Sequence, residues 1–161
     1  MDEPRHLLID GYNILYAWHW LRPGHDAGPA LDAARSRLIE AVRPLHDVDR
    51  CAVTLVFDGR GATSQVDPGA TEPGFAVVFA PSNRTADSVI EALVAAAPHP
   101  QACTVATADT LERETVAAAG AACLSPEDLL AWCERCRTRA SQSLARRAAR
   151  SRTSWGNKLP L

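Results

Sequence analysis

Short apolar runs alternate along this chain with longer stretches in which apolar residues recur every three or four positions. The short runs predict five buried strands at residues 6–9, 51–57, 75–79, 103–106 and 121–124. The longer stretches predict helices at residues 30–45, 85–97, 110–119 and 125–150, and a further short helix is expected to begin at Tyr12. Strands that alternate with helices in this way are typical of a parallel sheet covered by helices on both faces.

Turn and capping residues support these boundaries. Gly120 directly follows one predicted helix, as glycine often does at a helix end. Ser125 and Pro126 are a typical start for the long C-terminal helix, with serine as the N-cap and proline in the first turn. Residues 22–29 and 59–74 are rich in glycine and proline, so both segments are predicted to be loops.

Length and composition indicate one globular domain. The chain has 161 residues, 47% of them hydrophobic, and it contains no dividing linker and no apolar run long enough to cross a membrane. We expect a domain over residues 1–150 and a tail over residues 151–161. The acidic N-terminus and the odd count of five cysteines favour a cytoplasmic location. Cys133 and Cys136 form a lone C-x-x-C on a helix, which is a weak signal for a metal or redox site.

Four aspartates lie either at the end of a predicted strand or near the start of a predicted helix. Asp10 and Asp58 directly end two apolar runs, whereas Asp87 and Asp109 stand near the starts of two helices. The carboxyl ends of parallel strands meet at one edge of a sheet, where ligands bind. Four carboxylates at that edge would repel one another unless a cation lies between them. A divalent metal site, and with it phosphate chemistry, is therefore one interpretation.

Each of these acids also has a simpler structural interpretation. The first two precede a glycine, as in an Asp–Gly turn. Asp87 stands in the first turn of a helix, where the helix dipole stabilises a carboxylate, and Glu91 follows one turn later on the same face. Asp109 is a candidate N-cap, with Glu112 completing a capping box. The residues alone leave capping and metal binding as alternatives.

Basic residues concentrate at the C-terminus. The formal net charge is −2. Residues 1–134 contain all 19 acids and 9 of the 17 Lys and Arg residues. Residues 135–161 contain the other 8 Lys and Arg residues. Arginines in such numbers neutralise phosphates and favour nucleic-acid binding, although a solvated helix face is the alternative. The candidate contacts are Arg135, Arg137, Arg139, Arg146, Arg147, Arg150 and Arg152.

Aromatic residues and one further arginine stand close to the acids in the sequence. Tyr12 and Trp18 follow Asp10 within the segment YNILYAWHW, where they suit either stacking on unpaired bases or a hydrophobic cover over the sheet. Arg84 precedes Asp87 and is a candidate phosphate contact.

Four segments, taken in order, resemble one known group of nucleases. They read LLIDGYNIL, VFDG, NRTADSVIE and VATAD, at residues 7–15, 56–59, 83–91 and 105–109. DGYN followed by T-A-D-x-x-I-E is a fairly specific combination, whereas each motif alone would be weak. The pattern is similar to the NYN branch of the PIN-like nucleases and, within it, to the YacP-like ribonucleases.

The resemblance implies a three-layer α/β/α sandwich around a central, mostly parallel sheet. It also implies Mg²⁺- or Mn²⁺-dependent endonucleolytic cleavage of RNA, with ribosome-associated RNA as one substrate. By position, the implied site residues are Asp10, Asp87 and Asp109 as central metal ligands, Asp58 and Glu91 as supporting acids, and Asn13 as an amide beside Asp10. Ala108 stands where relatives often have a serine, so one hydroxyl contact is missing here.

Two other functions have to be weighed. A non-catalytic RNA- or ribosome-binding module would use the arginine-rich C-terminus and the aromatic residues. A dehalogenase-like phosphatase is disfavoured, because that family needs a second aspartate where this chain has Tyr12 and a lysine late in the sheet, whereas the only lysine is Lys158. No dinucleotide-binding or Walker A motif is present.

Overall fold

Strands and helices alternate along the chain as predicted. The computed structural model describes residues 5–21, 28–59 and 61–158, with side chains up to residue 153, so most of the predicted loop at residues 22–29 lies outside the described residues. The strands are β1 (His6–Asp10), β2 (Ala52–Phe57), β3 (Gln65–Val66), β4 (Phe75–Phe79), β5 (Cys103–Ala106) and β6 (Ala122–Leu124). The α-helices are α1 (Gly11–Ala17), α2 (Pro29–Asp47), α3 (Ala86–Ala96), α4 (Thr110–Ala118) and α5 (Pro126–Lys158).

The strands form one sheet in the order β3-β4-β2-β1-β5-β6. Every neighbouring pair is parallel except β3 and β4. Asp10 pairs with Val56 across β1 and β2, and Ile9 pairs with Ala106 across β1 and β5, so these strands end at the same edge. The mostly parallel sheet is confirmed, with β3 as a sixth strand inside the loop predicted at residues 59–74.

Helices cover both faces of the sheet because strand residues alternate between two cores. Leu7 and Ile9 of β1 point into a core that α1, α2 and α5 complete. Leu8, between them in sequence, points to the other face, where α3 and α4 pack. This alternation follows from the two-residue period of a strand. The three-layer α/β/α sandwich is therefore confirmed.

The C-terminal helix extends beyond its predicted end. It runs on to Lys158, so residues 151–158 of the predicted tail have a helical backbone. The physical reason is that no proline or glycine interrupts residues 151–155, and the helix continues through Gly156. The domain over residues 1–150 stays a prediction. In the described part of the chain, no helix combines the length and the apolar character needed to cross a bilayer.

Candidate active site at the carboxyl edge of the sheet

Asp10 occupies the middle of the carboxyl edge, because β1 is a central strand. It is the N-cap residue of α1, and no capping hydrogen bond of normal geometry reaches its side chain, although the Asn13 amide lies close enough to favour its charge. Gly11 begins α1 directly, and a Cβ atom there would lie 2.2 Å from a ring carbon of Phe57. Space, rather than a turn conformation, therefore demands this glycine. The carboxyl of Asp10 is left available for another partner.

That partner includes Glu112, a buried residue of α4 with only 1% of its surface exposed. Thr107 donates a hydrogen bond from Oγ1 to Oε2 of Glu112 over 2.7 Å. Among the described residues, no donor reaches the other oxygen, Oε1, which is also buried. The Glu112 carboxyl lies within hydrogen-bonding reach of Asp10, so the two can bond when one of them carries a proton.

The environment raises the pKa of both carboxyls. Burial raises the pKa of Asp10 to about 6, and the charges of Asp58 and Asp87 act in the same direction, while Glu112 and the Asn13 backbone amide favour the charged form. Burial, followed by the charge of Asp10, raises the pKa of Glu112 to about 8. The deeper residue, Glu112, thus holds the shared proton near neutral pH. Shifts of this kind mark candidate functional sites.

Two of the predicted site acids hold backbone amides in place. Asp58 follows β2, and its Oδ1 accepts a hydrogen bond from the Ala86 amide at the start of α3, over 2.9 Å. Asp109 is the N-cap of α4, and its Oδ1 accepts hydrogen bonds from the amides of Leu111 and Glu112, over 2.9 and 3.3 Å. Both acids therefore fix helix starts at the same edge, whatever else they bind.

The predicted capping box at Asp109 forms only in part. Asp109 caps the helix, but Glu112 does not return a bond to the Asp109 amide, which instead donates to Thr107 Oγ1 over 3.1 Å. Glu112 is thereby free to turn inward. Its inward position was the feature that the sequence interpretation missed, because a glutamate three residues after an N-cap usually serves the cap.

Asn13 links α1 to a loop at this edge. Its side-chain oxygen accepts a hydrogen bond from the Ala108 amide over 2.6 Å, which ties α1 to the connection between β5 and α4. The expected role of Asn13 as an amide beside Asp10 stays a prediction. Because Ala108 adjoins Asp109, this bond also fixes the loop that presents Asp109.

Asp87 and Glu91 lie on α3, which begins at the same edge. Asp87 is half-buried in the first turn, and its charge acts on both Asp10 and Glu112. Glu91 is half-buried one turn later, and none of the described contacts joins it to Asp10. In the ranges that the structure describes, these acids do not bring three ligand oxygens within 4.8 Å of one another.

A different trio does meet that spacing, at the opposite edge of the sheet. His46, Asp47 and Glu72 lie near the end of α2 and the start of β4. Two of them already serve the fold: the ring of His46 bonds through Nδ1 to the Cys51 carbonyl oxygen over 3.0 Å, and Glu72 pairs with Arg43 over 3.1 Å. This set lies far from the strand ends that carry Asp10 and Asp58.

The predicted nucleic-acid contacts divide into exposed and packed groups. Arg84 is exposed before α3 and bonds to the side chain and the carbonyl oxygen of Ser88, over 3.2 and 3.1 Å. Arg135, Arg146 and Arg147 are exposed on α5.

Three other predicted contacts take part in tertiary packing. Trp18 donates from its indole nitrogen to the Pro126 carbonyl oxygen over 2.8 Å, which joins α1 to α5. Arg139 pairs with Asp49, which also accepts a hydrogen bond from Trp132. The hydroxyl of Tyr12 accepts a hydrogen bond from Arg35 over 2.9 Å.

Cys133 and Cys136 lie in the core that α5 forms with the sheet, and both are fully buried. Burial raises the pKa of Cys133 to about 12 and raises that of Cys136 as well. Thiols that stay protonated in this way are poor nucleophiles and poor metal ligands. The pair therefore has the properties of packed core residues.

A family model and two crystal structures of known proteins match this chain. A family model described as the YacP-like NYN domain matches residues 7–160. A crystal structure of Rae1 (YacP) from Bacillus subtilis is 26% identical with a TM-score of 0.71, covering 96% of this chain and 86% of that chain. A tryptophan-to-leucine mutant of Rae1 is 27% identical with a TM-score of 0.70, covering 90% and 84%. No curated protein matches.

These matches confirm the resemblance that the four sequence segments indicated. The family model spans all of those segments and every strand of the sheet from β2 onward. The chain therefore belongs to the YacP-like NYN domain family, a family of nuclease type.

Proposed function

We propose that this protein is a metal-dependent endoribonuclease that hydrolyses phosphodiester bonds in RNA. The observation that carries the proposal is the Asp10–Glu112 pair at the carboxyl edge, in which the buried Glu112 carboxyl lies within hydrogen-bonding reach of the half-buried Asp10 carboxyl. Two adjacent carboxyls stay ionised together only at a high cost in free energy unless a positive charge lies between them. The charges of Asp58 and Asp87 nearby increase that cost, so the edge favours a cation as a ligand.

The residues at this edge fit a hard divalent cation. Their candidate ligand atoms are carboxylate oxygens, which Mg²⁺ and Mn²⁺ prefer. Mg²⁺ commonly takes only one or two carboxylates and keeps several waters, so three convergent acids are not required. Asp10, Asp87 and Glu112 would hold the ion, and Asp109 and Glu91 are further candidate ligands. When bound, the ion supplies charge stabilisation to phosphoryl oxygens and an activated water.

Residues of the chain would hold the acids in position and set the net charge of the site. Asn13 and Asp58 fix the loops from which the acids project, through their bonds to backbone amides. Glu112 holds a proton beside Asp10 in the protein alone, and a cation would favour release of that proton. Arg84 is exposed near the start of α3, where its guanidinium can offset the charge of a phosphate.

The test compares two acid-to-amide variants, one inside the site and one outside it. Asp10→Asn is expected to reduce cleavage of single-stranded RNA at least a hundredfold and to remove the rise in melting temperature that Mn²⁺ causes in the parent protein. Glu40→Gln changes an exposed acid of α2 outside both acidic clusters, so it is the matched control and is expected to keep both. Cleavage retained by Asp10→Asn would sink the proposal.

The second candidate is an RNA- or ribosome-binding module without catalysis. The observation that favours it is the outer part of α5, where residues 141–153 are all exposed and include Arg146 and Arg147. Removing residues 141–161 is the appropriate deletion, because Cys136 and Arg139 belong to the packed part of the helix. This module predicts RNA binding that is metal-independent and lost on that deletion, with no cleavage by the intact chain.

The expected setting of the activity completes the proposal. RNA is the proposed substrate, and the resemblance of the sequence to YacP-like ribonucleases adds the ribosome as a proposed partner. A cytoplasmic location, expected from the cysteine content, belongs to the proposal as well.

A further inference from the structure

An open groove of about 450 Å³ reaches one of the acids at the carboxyl edge. Its volume falls within the roughly 300–1,000 Å³ that is typical of ligand pockets. Asp58 lines one side, so the groove is continuous with the carboxyl edge of the sheet. Tyr12, Arg35, Phe79 and Gln65 line other parts of it. A chain segment that passes over the acids can therefore place a neighbouring group in this groove.

A stack of planar groups ends at the groove. The rings of Phe57 and Phe79 are stacked, with centroids 5.8 Å apart and an angle of 28° between their planes. The guanidinium of Arg35 lies over the Phe79 ring, 5.5 Å from its centroid. Arg35 and Phe79 both line the groove, so the guanidinium is the charged planar group next to the aromatic pair there. Guanidinium planes are surfaces on which unpaired RNA bases stack.

Contacts on both sides hold the Arg35 guanidinium in place. Nη1 donates to the Tyr12 hydroxyl over 2.9 Å, and Nη2 pairs with Asp32 one turn earlier on α2. A platform that is already fixed loses little conformational entropy when a ligand stacks on it. Arg35 is also mostly buried, with 20% of its side chain exposed, whereas Asp32 is 69% exposed.

The charge of the groove favours a base over a phosphate. Asp32 offsets the charge of Arg35, and Asp58 adds a negative charge at the other side. A second phosphate would therefore meet little net attraction here. A base is neutral and planar, and its edge groups can bond to polar side chains such as Thr63 and Gln65.

We propose that the groove receives one unpaired base of the RNA substrate, stacked on the guanidinium of Arg35. This inference rests on the proposed function and makes it narrower, since the base must be unstacked from its neighbours to enter. The preferred substrate is consequently single-stranded RNA, or a loop, rather than a continuous duplex.

The first test measures RNA binding in the Asp10→Asn background, with a 12-nucleotide single-stranded RNA in Mg²⁺ buffer. Arg35→Lys keeps the charge and loses the plane, so affinity is expected to fall roughly five- to a hundredfold with an unchanged salt dependence. Arg37→Lys is the matched control, because Arg37 lies on the same helix as Arg35 but does not line the groove. The guanidinium of Arg37 lies over the ring of Trp20 instead, 3.8 Å from the ring centroid. An affinity of Arg35→Lys within twofold of that background overturns the proposal.

The second test changes the RNA while Arg35 is present, so that loss of folding cannot explain the result, and it uses Arg35→Lys only as the comparison. One abasic nucleotide is moved along the 12-mer, and a single position is expected to weaken binding, with no further effect of the abasic site in Arg35→Lys. Equal binding at every position, or tighter binding to the fully paired 12-mer, overturns the proposal. The proposed nuclease activity is judged separately, by cleavage in the parent and in Asp10→Asn.

Discussion

Glu112 places its carboxyl beside that of Asp10, so that α4 and β1 share one proton at the carboxyl edge of the sheet. Two carboxylates in contact repel each other, and burial strengthens that repulsion, so one of them keeps its proton to a higher pH. The pair is therefore a site whose charge depends on what is bound. A protein at rest keeps the proton on Glu112, whereas a bound divalent cation would replace it.

Stability should fall with rising pH because of this pair. Burial raises the pKa of Asp10 to about 6 and that of Glu112 to about 8, above the values of roughly 4 expected in the unfolded chain. Between about pH 4 and pH 8 the folded state binds more protons than the unfolded chain does. The free energy of unfolding that the pair contributes is therefore complete below about pH 4 and is lost as pH rises through 6 to 8. We expect a loss on the order of 2–4 kcal/mol between pH 5 and pH 8 without metal.

The control for that prediction is Glu112→Gln, measured by urea unfolding at both pH values in EDTA. Glutamine keeps the acceptor for Thr107 and can donate to Asp10, but it does not titrate. The variant should lose much less stability between pH 5 and pH 8 than the parent does. Equal slopes in the two proteins would contradict the assigned role of Glu112.

Gly11→Ala should destabilise the fold although alanine is the better helix residue. Its Cβ would lie 2.2 Å from a ring carbon of Phe57, and that ring is fully buried. Overpacking of this kind typically costs about 1–3 kcal/mol, more than the roughly 0.5–1 kcal/mol that alanine contributes over glycine in a helix. Denaturant unfolding measures the change.

A smaller side chain at position 57 should relieve this clash. In the Phe57→Leu background, Gly11→Ala is expected to cost less than it does alone, giving a coupling energy on the order of 1 kcal/mol. Additive effects would mean that Phe57 is not what Gly11 must accommodate.

The order of strands and helices and the position of the carboxyl edge could be predicted from the sequence, because apolar runs of the right length end directly at Asp10 and Asp58. It did not contain β3, whose two residues are exposed and too few to form a pattern. Nor did it show that Gly11 packs on Phe57, because that contact joins the start of α1 to the end of β2, which are distant in the sequence. Such contacts depend on the packed sheet, which local spacing does not specify.

The same limit applies to individual site residues. The spacing of Glu112 predicts a residue of a capping box. The carboxyl points inward instead, because β5 and β1 bring Thr107 and Asp10 close enough to form hydrogen bonds with it. Trp18 and Arg139 have the residue types of nucleic-acid contacts, yet their polar atoms bond within the protein. Whether they also contact RNA stays a prediction.

Asn13→Ala should loosen the connection between α1 and the loop before α4. The variant loses the bond from the Ala108 amide, and a loss of about 0.5–1.5 kcal/mol in unfolding free energy is expected. Asn13→Gln keeps an amide acceptor, adds no charge beside Asp10 and should retain part of that stability. If urea unfolding finds both variants equally weakened, the hydrogen bond to Ala108 is not the contribution of Asn13.

The arginines of α5 should separate into structural and RNA-binding residues. Arg139 pairs with Asp49, which also accepts a 2.6 Å hydrogen bond from Trp132, so Arg139→Gln should lower the melting temperature. Arg146→Gln and Arg147→Gln change exposed side chains and should leave the melting temperature unchanged. Each should weaken RNA binding and reduce the slope of log affinity against log salt by about 1, because one phosphate contact is lost. Thermal unfolding and binding at several salt concentrations test both effects, and the assignment fails if Arg139→Gln alone changes the salt slope.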